Sequence, residues 1–295
     1  MAKIYGIVST KGGVGKTSLC ANLGGILADM GQRVLLVDGD YQQTLSSYYQ
    51  IDEINRSKHA LTRLIQSYDP TDCISKTSIN NLDIVESDDP EGRLLEWLKQ
   101  ATNNVFYLAA SLKKLEDKYD YILIDSQGAK GILQESIIFA SDALISPIIP
   151  DVLESREFMR GTIQMLKDLE PPQGMSFHMP KIPPLYGVIY RQDRTVNSEK
   201  IANAIRKQFY DATKGQISIL NTFVPMMSAY KKASGLFQPV HRIEVTRQGP
   251  TSSAHDIFLS LVYELLPHLS DITPTWDKTA KDGLQSPVTQ IREAV

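Results

Sequence analysis

The chain is poor in cysteine, net charge and long apolar runs, and each shortage removes a class of protein. Its two cysteines, Cys20 and Cys73, lie far apart and match no metal-ligand or redox spacing. That argues against a disulfide-stapled domain and leads us to expect two reduced, buried thiols in a cytosolic protein. No apolar stretch approaches the roughly 20 residues that span a bilayer. The residues after Met1 run straight into a strand pattern, so no signal peptide is expected. A net charge of −3 gives no global attraction to nucleic acid. Any DNA contact must then come from a local patch or from assembly. What remains is a 295-residue chain, long enough to bury a large core unaided.

Against that background one stretch stands out: Ser9-Thr10-Lys11-Gly12-Gly13-Val14-Gly15-Lys16-Thr17. An apolar run, Lys3 to Val8, reads as a strand before it, and Ser18 to Met30 reads as a helix after it. Glycines at a strand-to-helix turn let backbone N–H groups close around phosphate oxygens, and the helix N-terminus adds a favourable dipole. Lys16 follows as the charge for the terminal phosphates, with the Thr17 hydroxyl placed to ligate Mg²⁺. The usual G-x-x-x-x-G-K-[ST] pattern is incomplete, because Thr10 occupies its first glycine and a second lysine, Lys11, follows.

Further along, Val34 to Val37 is a continuous apolar run, as expected of a parallel strand covered on both faces. It ends in Asp38-Gly39-Asp40, and Tyr121 to Ile124 ends likewise in Asp125. Carboxylates at the carboxyl ends of strands lie where ligands bind in open α/β sheets. Between Tyr41 and Asp120 the pattern loosens, giving helices over 60–66, 91–100 and 105–118 and a strand over 82–86. A helix over 132–140, a strand over 143–150 and a helix over 151–169 follow. A proline-rich connection, Pro171-Pro172-Gln173-Gly174 through Pro184, leads to a strand over 185–190 and a helix over 198–209. A late strand over 217–220 and an amphipathic helix over 252–266 close the pattern. The alternation predicts an α/β fold with a doubly wound, mostly parallel sheet. We expect one domain over 1–268 and a polar tail over 269–295 that is mobile or ordered by a partner.

With its paired lysines, the loop is a deviant Walker A box, and the chain resembles the ParA/MinD family of P-loop ATPases. The resemblance covers about the first 50 residues, the strand ending at Asp125 and much of 185–266. It implies ATP bound by Lys11, Gly12, Gly13, Val14, Gly15, Lys16, Thr17 and Ser18, with Mg²⁺ near Thr17, Asp38 and Asp125. In the family pattern Val-Asp-x-Asp the second aspartate, here Asp40, orients the attacking water. Lys11 would reach across a two-fold interface to the partner's ATP, making Lys11, Lys16 and Asp40 the catalytic set. Since an aspartate with an ordinary pKa of about 3.9 is a weak base, turnover is expected to be slow until the site is completed. The resemblance further implies an ATP-dependent homodimer, a ParB-like partner, non-specific DNA binding and a nucleoid location when ATP is bound. A MinD-like membrane role is the alternative, but 288–295 is short and weakly basic for an amphipathic anchor. A nucleotide-gated scaffold with negligible turnover is another.

Departures from the family pattern are local. Tyr41-Gln42 replaces Pro-Gln, Ser126-Gln127-Gly128 replaces Thr-Pro-Pro, and Tyr190-Arg191 stands where the family often has Asn. Asp193-Arg194-Thr195 resembles an Arg-Thr element of ParA-type proteins. Asn221 to Pro225 resembles the family's Thr-x-x-Pro, which makes Pro225 either an adenine contact or an ordinary strand-ending proline. Lys231, Lys232, Arg242 and Arg247, against the single acid Glu244, form either a DNA-binding patch or a solvated face.

Overall fold

The computed structural model describes residues 1–89, 91–170, 181–193, 195–213, 217–247 and 251–277. Strand β1 (Lys3–Ile7) leads through the glycine-rich loop into α1 (Lys16–Asp29), followed by β2 (Val34–Gly39). Helix α2 (Leu61–Ser67), a short β3 (Ser75–Lys76), β4 (Leu82–Val85), α3 (Arg93–Gln100) and α4 (Tyr107–Lys113) fill the loosely patterned stretch. Then come β5 (Tyr121–Ser126), α5 (Ile132–Ala140), β6 (Ala143–Ile148), α6 (Val152–Phe158) and α7 (Gln164–Asp168). The chain ends its fold with β7 (Leu185–Gln192), α8 (Val196–Thr213), β8 (Ile217–Pro225), α9 (Ala229–Gly235), α10 (Val240–Ile243) and α11 (Ala254–Leu265).

The strands form one eight-stranded sheet in the order β3-β4-β2-β5-β1-β6-β7-β8. Only β3 runs antiparallel to its neighbour among the described residues. Side-chain alternation divides the core in two. Val34, Leu36 and Leu123 join α1 and α11 on one face, while Leu35, Val37, Ile122 and Ile124 join α2 to α8 on the other. The paired glycines of α1 permit close packing: a Cβ on Gly24 would lie 2.7 Å from Leu36, and one on Gly25 would lie 2.6 Å from Pro239.

Four expectations change. Helix α4 is shorter than the 105–118 pattern, because a 3₁₀ turn precedes it and turns follow it. The helix expected over 151–169 widens into a π turn at Met159–Ile163. Strand β8 continues past Leu220 to Pro225, since its exposed edge is satisfied by side chains. Arg206 donates to the carbonyls of Leu220 and Asn221, and Glu264 accepts from the N–H groups of Asn221 and Thr222. The start of the expected tail is folded down, with Pro274 buried and Thr275 N donating to the Asp29 carbonyl at 2.7 Å. The prolines at 171, 172 and 180, Arg194, and residues 278–295 lie outside the described residues.

Under that folded segment sits a buried charge cluster. Asp29 accepts from His241 Nε2 and Arg242 Nε, both at 2.7 Å, and Trp276 stands edge-on to His241. Burial pushes the Asp29 carboxyl up, but hydrogen bonds from Arg242 and His241 outweigh it and hold the group below its usual range. Burial lowers the His241 pKa against the opposing pull of Asp29. The unfolded chain therefore binds more protons than the folded one below the ordinary histidine pKa of about 6.5, and stability falls as pH drops below that value. Urea unfolding at pH 7.5, 6 and 5 should show this decline. His241→Asn should be less stable at pH 7.5 yet show a flatter decline to pH 5.

Candidate active site

The glycine-rich loop leaves the carboxyl end of β1, near the centre of the sheet. Gly13 (φ +75°) and Gly15 (φ +104°) adopt left-handed backbone there. At Gly15 the demand is double, because a Cβ would also lie 2.3 Å from the Tyr190 ring. Gly15→Ala should cost at least ~1–2 kcal/mol from backbone handedness alone. It should appear as a lower melting temperature together with weakened nucleotide binding, measured by titration.

Lys16 is 6% exposed and points its ammonium at the Lys11 carbonyl, 3.2 Å away. Burial lowers its pKa, against the attraction of Asp125 and Asp40. Thr17 and Ser18 line the same cleft of about 510 Å³, with Gly12, Gly13, Gly15, Asp40 and Arg191. Val14 is buried behind the loop.

The loop's leading edge is gripped by the helical segment 152–168. Thr10 N donates to Thr162 Oγ1 at 3.2 Å, and a Cβ on Gly161 would overlap Thr10 at 2.0 Å, so the π turn coincides with this contact. Lys11, in contrast to Lys16, is at the rim: its side chain is 44% exposed and pairs with Glu154 at 2.5 Å.

The three aspartates divide by environment. Asp38 and Asp125 face each other in the β2–β5 register. Asp38 is fully buried, and its oxygens are engaged by Ser46 N and Oγ, each at 2.7 Å, and by Asp40 N at 3.1 Å. It anchors the loop that carries Asp40; burial raises its pKa, while the Ser46 contacts and Asp40 N oppose that rise. Asp125 is equally buried, but neither oxygen has a hydrogen-bond partner. Its pKa is pushed up to about 7 by burial, and the nearby Thr17 hydroxyl opposes that rise without closing a well-directed bond. A buried carboxylate left bare beside a hydroxyl fits a cation, so Thr17 and Asp125 are the residues that would hold Mg²⁺, whereas Asp38, expected beside the ion, has both oxygens taken by Ser46 and Asp40 N. Among the described residues no cluster of three or more His, Cys, Asp or Glu could cage a metal. Asp40 is half-buried at the mouth of the cleft, its Oδ1 accepting from Gln42 N at 3.0 Å.

The remaining candidates lie apart. Pro225 borders a separate cavity of about 700 Å³, with Gln192, Thr222, Phe223 and Arg247, and does not reach the phosphate cleft. Of the four basic residues, Lys231 and Lys232 are exposed on α9. Arg242 is only 12% exposed and locked to Asp29, and Arg247 is 18% exposed and paired with Glu244. Both arginines are thereby withdrawn from the basic patch: their guanidinium groups already hold carboxylates in partly buried positions. Glu154 and Thr162, which contact the loop, and Ser46, which holds Asp38, carry no signal in the local sequence.

A phosphate cradle between β1 and α1, with aspartates at the ends of β2 and β5, defines a P-loop nucleoside triphosphatase. Residues 2–171 match the family model AAA_31, described as an AAA domain. The chain belongs to the ParA/MinD family of P-loop ATPases. It is 27% identical over 270 residues to the sporulation initiation inhibitor protein Soj of Bacillus subtilis, covering 90% of this chain and 98% of Soj. It is 27% identical over 241 residues to the chromosome partitioning protein ParA of Caulobacter vibrioides, covering 81% of this chain and 86% of that one. Its fold matches an ATP complex of a McdA variant from Cyanothece, with a TM-score of 0.73 at 22% identity over 94% of this chain and 99% of McdA. It also matches MinD of Pyrococcus horikoshii with Mg-ADP, with a TM-score of 0.67 at 22% identity over 90% and 96% of the two chains. Among the described residues no helix is long and apolar enough to cross a membrane.

Proposed function

We propose that this protein is a ParA-type partition ATPase whose ATP-bound homodimer binds DNA non-specifically and is reset by hydrolysis. The observation that carries this reading is the division of labour between two lysines five residues apart. Lys16 is buried in its own cleft, whereas Lys11 is exposed at the rim, where a second copy could meet it. In an isologous pair each Lys11 would answer the phosphates of the other protomer. The γ-phosphate then supplies charge that is neutralised only in the dimer, so ATP favours assembly and hydrolysis releases it.

For the chemical step, Lys16 holds the β- and γ-phosphates and Asp40 orients the water that attacks the γ-phosphorus. When bound, Mg²⁺ would neutralise charge building on the phosphates, held by Thr17 and Asp125. Asp38 keeps the Asp40 loop in place through Ser46. Turnover is slow in the isolated protein and is stimulated by a ParB-like partner. For DNA, two copies of Lys231 and Lys232 give a modest, salt-sensitive patch.

Retention on non-specific DNA and on anionic liposomes, with ATP, ADP or no nucleotide, tests the reading. ATP-dependent, salt-sensitive retention on DNA alone is expected. Liposome binding without DNA binding would overturn it in favour of a MinD-like surface role.

A further inference from the structure

Arg191, at the end of β7, has no part in the chemistry described above, yet it points at the loop. It stands at a break in the β7–β8 ladder, where the pairing jumps from Tyr190 to Gln192. Its φ of +57° is left-handed backbone, which costs a non-glycine residue free energy. Bulges of this kind re-aim a side chain. Here Arg191 Nη1 donates to the Gly13 carbonyl at 2.8 Å, and the guanidinium lines the cleft shared by Gly13, Lys16 and Thr17.

Sheet order says which end of the cleft this is. The aspartates lie on β5 and β2, to one side of β1, whereas β7 lies two strands away on the other side. With neighbouring strands ~4.8 Å apart, β2 and β7 are separated by roughly 20 Å. The cleft is therefore polarised. Its aspartate end suits the γ-phosphate, Mg²⁺ and attacking water, and its β7 end suits the part of the nucleotide that leaves the loop toward the nucleoside.

We propose that Arg191 is a nucleotide-positioning residue: anchored on the Gly13 carbonyl, its guanidinium holds the nucleoside end of a nucleoside di- or triphosphate in register with Lys16 and Thr17. This rests on the ATPase reading above. Arginine suits the task because its charge is permanent and its planar fork can hold the carbonyl while other N–H groups face a phosphate or ribose oxygen. A group at that end meets ADP and ATP alike. It therefore supports affinity more than turnover.

The test titrates wild type, Arg191→Ala, Arg191→Gly and Arg191→Lys with fluorescent ADP and ATP analogues in Mg²⁺. Steady-state turnover and melting without nucleotide are recorded alongside. Arg191→Ala should weaken both nucleotides by a common factor of about 10- to 100-fold, the scale of a hydrogen bond to a charged group. KM for ATP should rise by more than kcat falls. Arg191→Gly, free of the backbone strain, should melt at or above Arg191→Ala without regaining affinity, and Arg191→Lys should regain part of it. Unchanged binding in Arg191→Ala, recovery of affinity by glycine, or a loss confined to ATP would each overturn the proposal. If wild type binds both nucleotides and Arg191→Ala binds them equally well, only this inference fails. If wild type binds neither, the ATPase reading fails with it.

Discussion

Lys11→Ala binds ATP, does not dimerise on it, and turns it over on the order of 10³-fold more slowly than wild type, the scale of a cation supplied in trans. Binding survives because Lys16 is held by the backbone carbonyl of Lys11, which alanine keeps. Little is lost in the monomer either. The Lys11–Glu154 pair is partly exposed on both sides, and such pairs contribute about 0–1 kcal/mol. In the proposed dimer the same weakness would let a phosphate displace Glu154 when a second copy arrives. Nucleotide titration and light scattering on the purified variant check this. A stable ATP dimer of Lys11→Ala would remove the cross-interface role.

In Asp40→Ala the outcome is reversed: the ATP dimer accumulates, and single-turnover hydrolysis falls by about 10²- to 10⁴-fold, the range for losing a group that directs proton transfer or water. The loop should keep its shape, because Asp40 contacts Asp38 through its backbone N–H, which alanine retains. Asp38→Ala makes the contrast. It releases Ser46 N, Ser46 Oγ and Asp40 N together, so nucleotide affinity and stability should fall along with turnover. Normal hydrolysis in Asp40→Ala would take Asp40 out of its role.

How far the sequence alone could go follows from the range of each interaction. The phosphate loop was legible because strand, glycines, lysines and helix are contiguous, and Asp125 because an apolar run ends on it. Arg242 read as a surface cation, since nothing near it in the chain announces Asp29, its partner 213 positions away. Arg191 read only as a departure from a pattern, with its contact at Gly13 lying 178 positions off. The extension of β8 was hidden because Arg206 and Glu264, from two different helices, satisfy its edge. The π turn at Met159–Ile163 accommodates Thr10, a tertiary demand with no local periodicity. Short α9 and α10 lacked enough turns to show a helical period.

Sedimentation equilibrium of the wild-type protein with Mg-ATP, Mg-ADP and no nucleotide measures ATP-timed assembly directly. Twice the monomer mass with ATP, and the monomer mass with ADP or without nucleotide, is the expected result. One mass under all three conditions would contradict it.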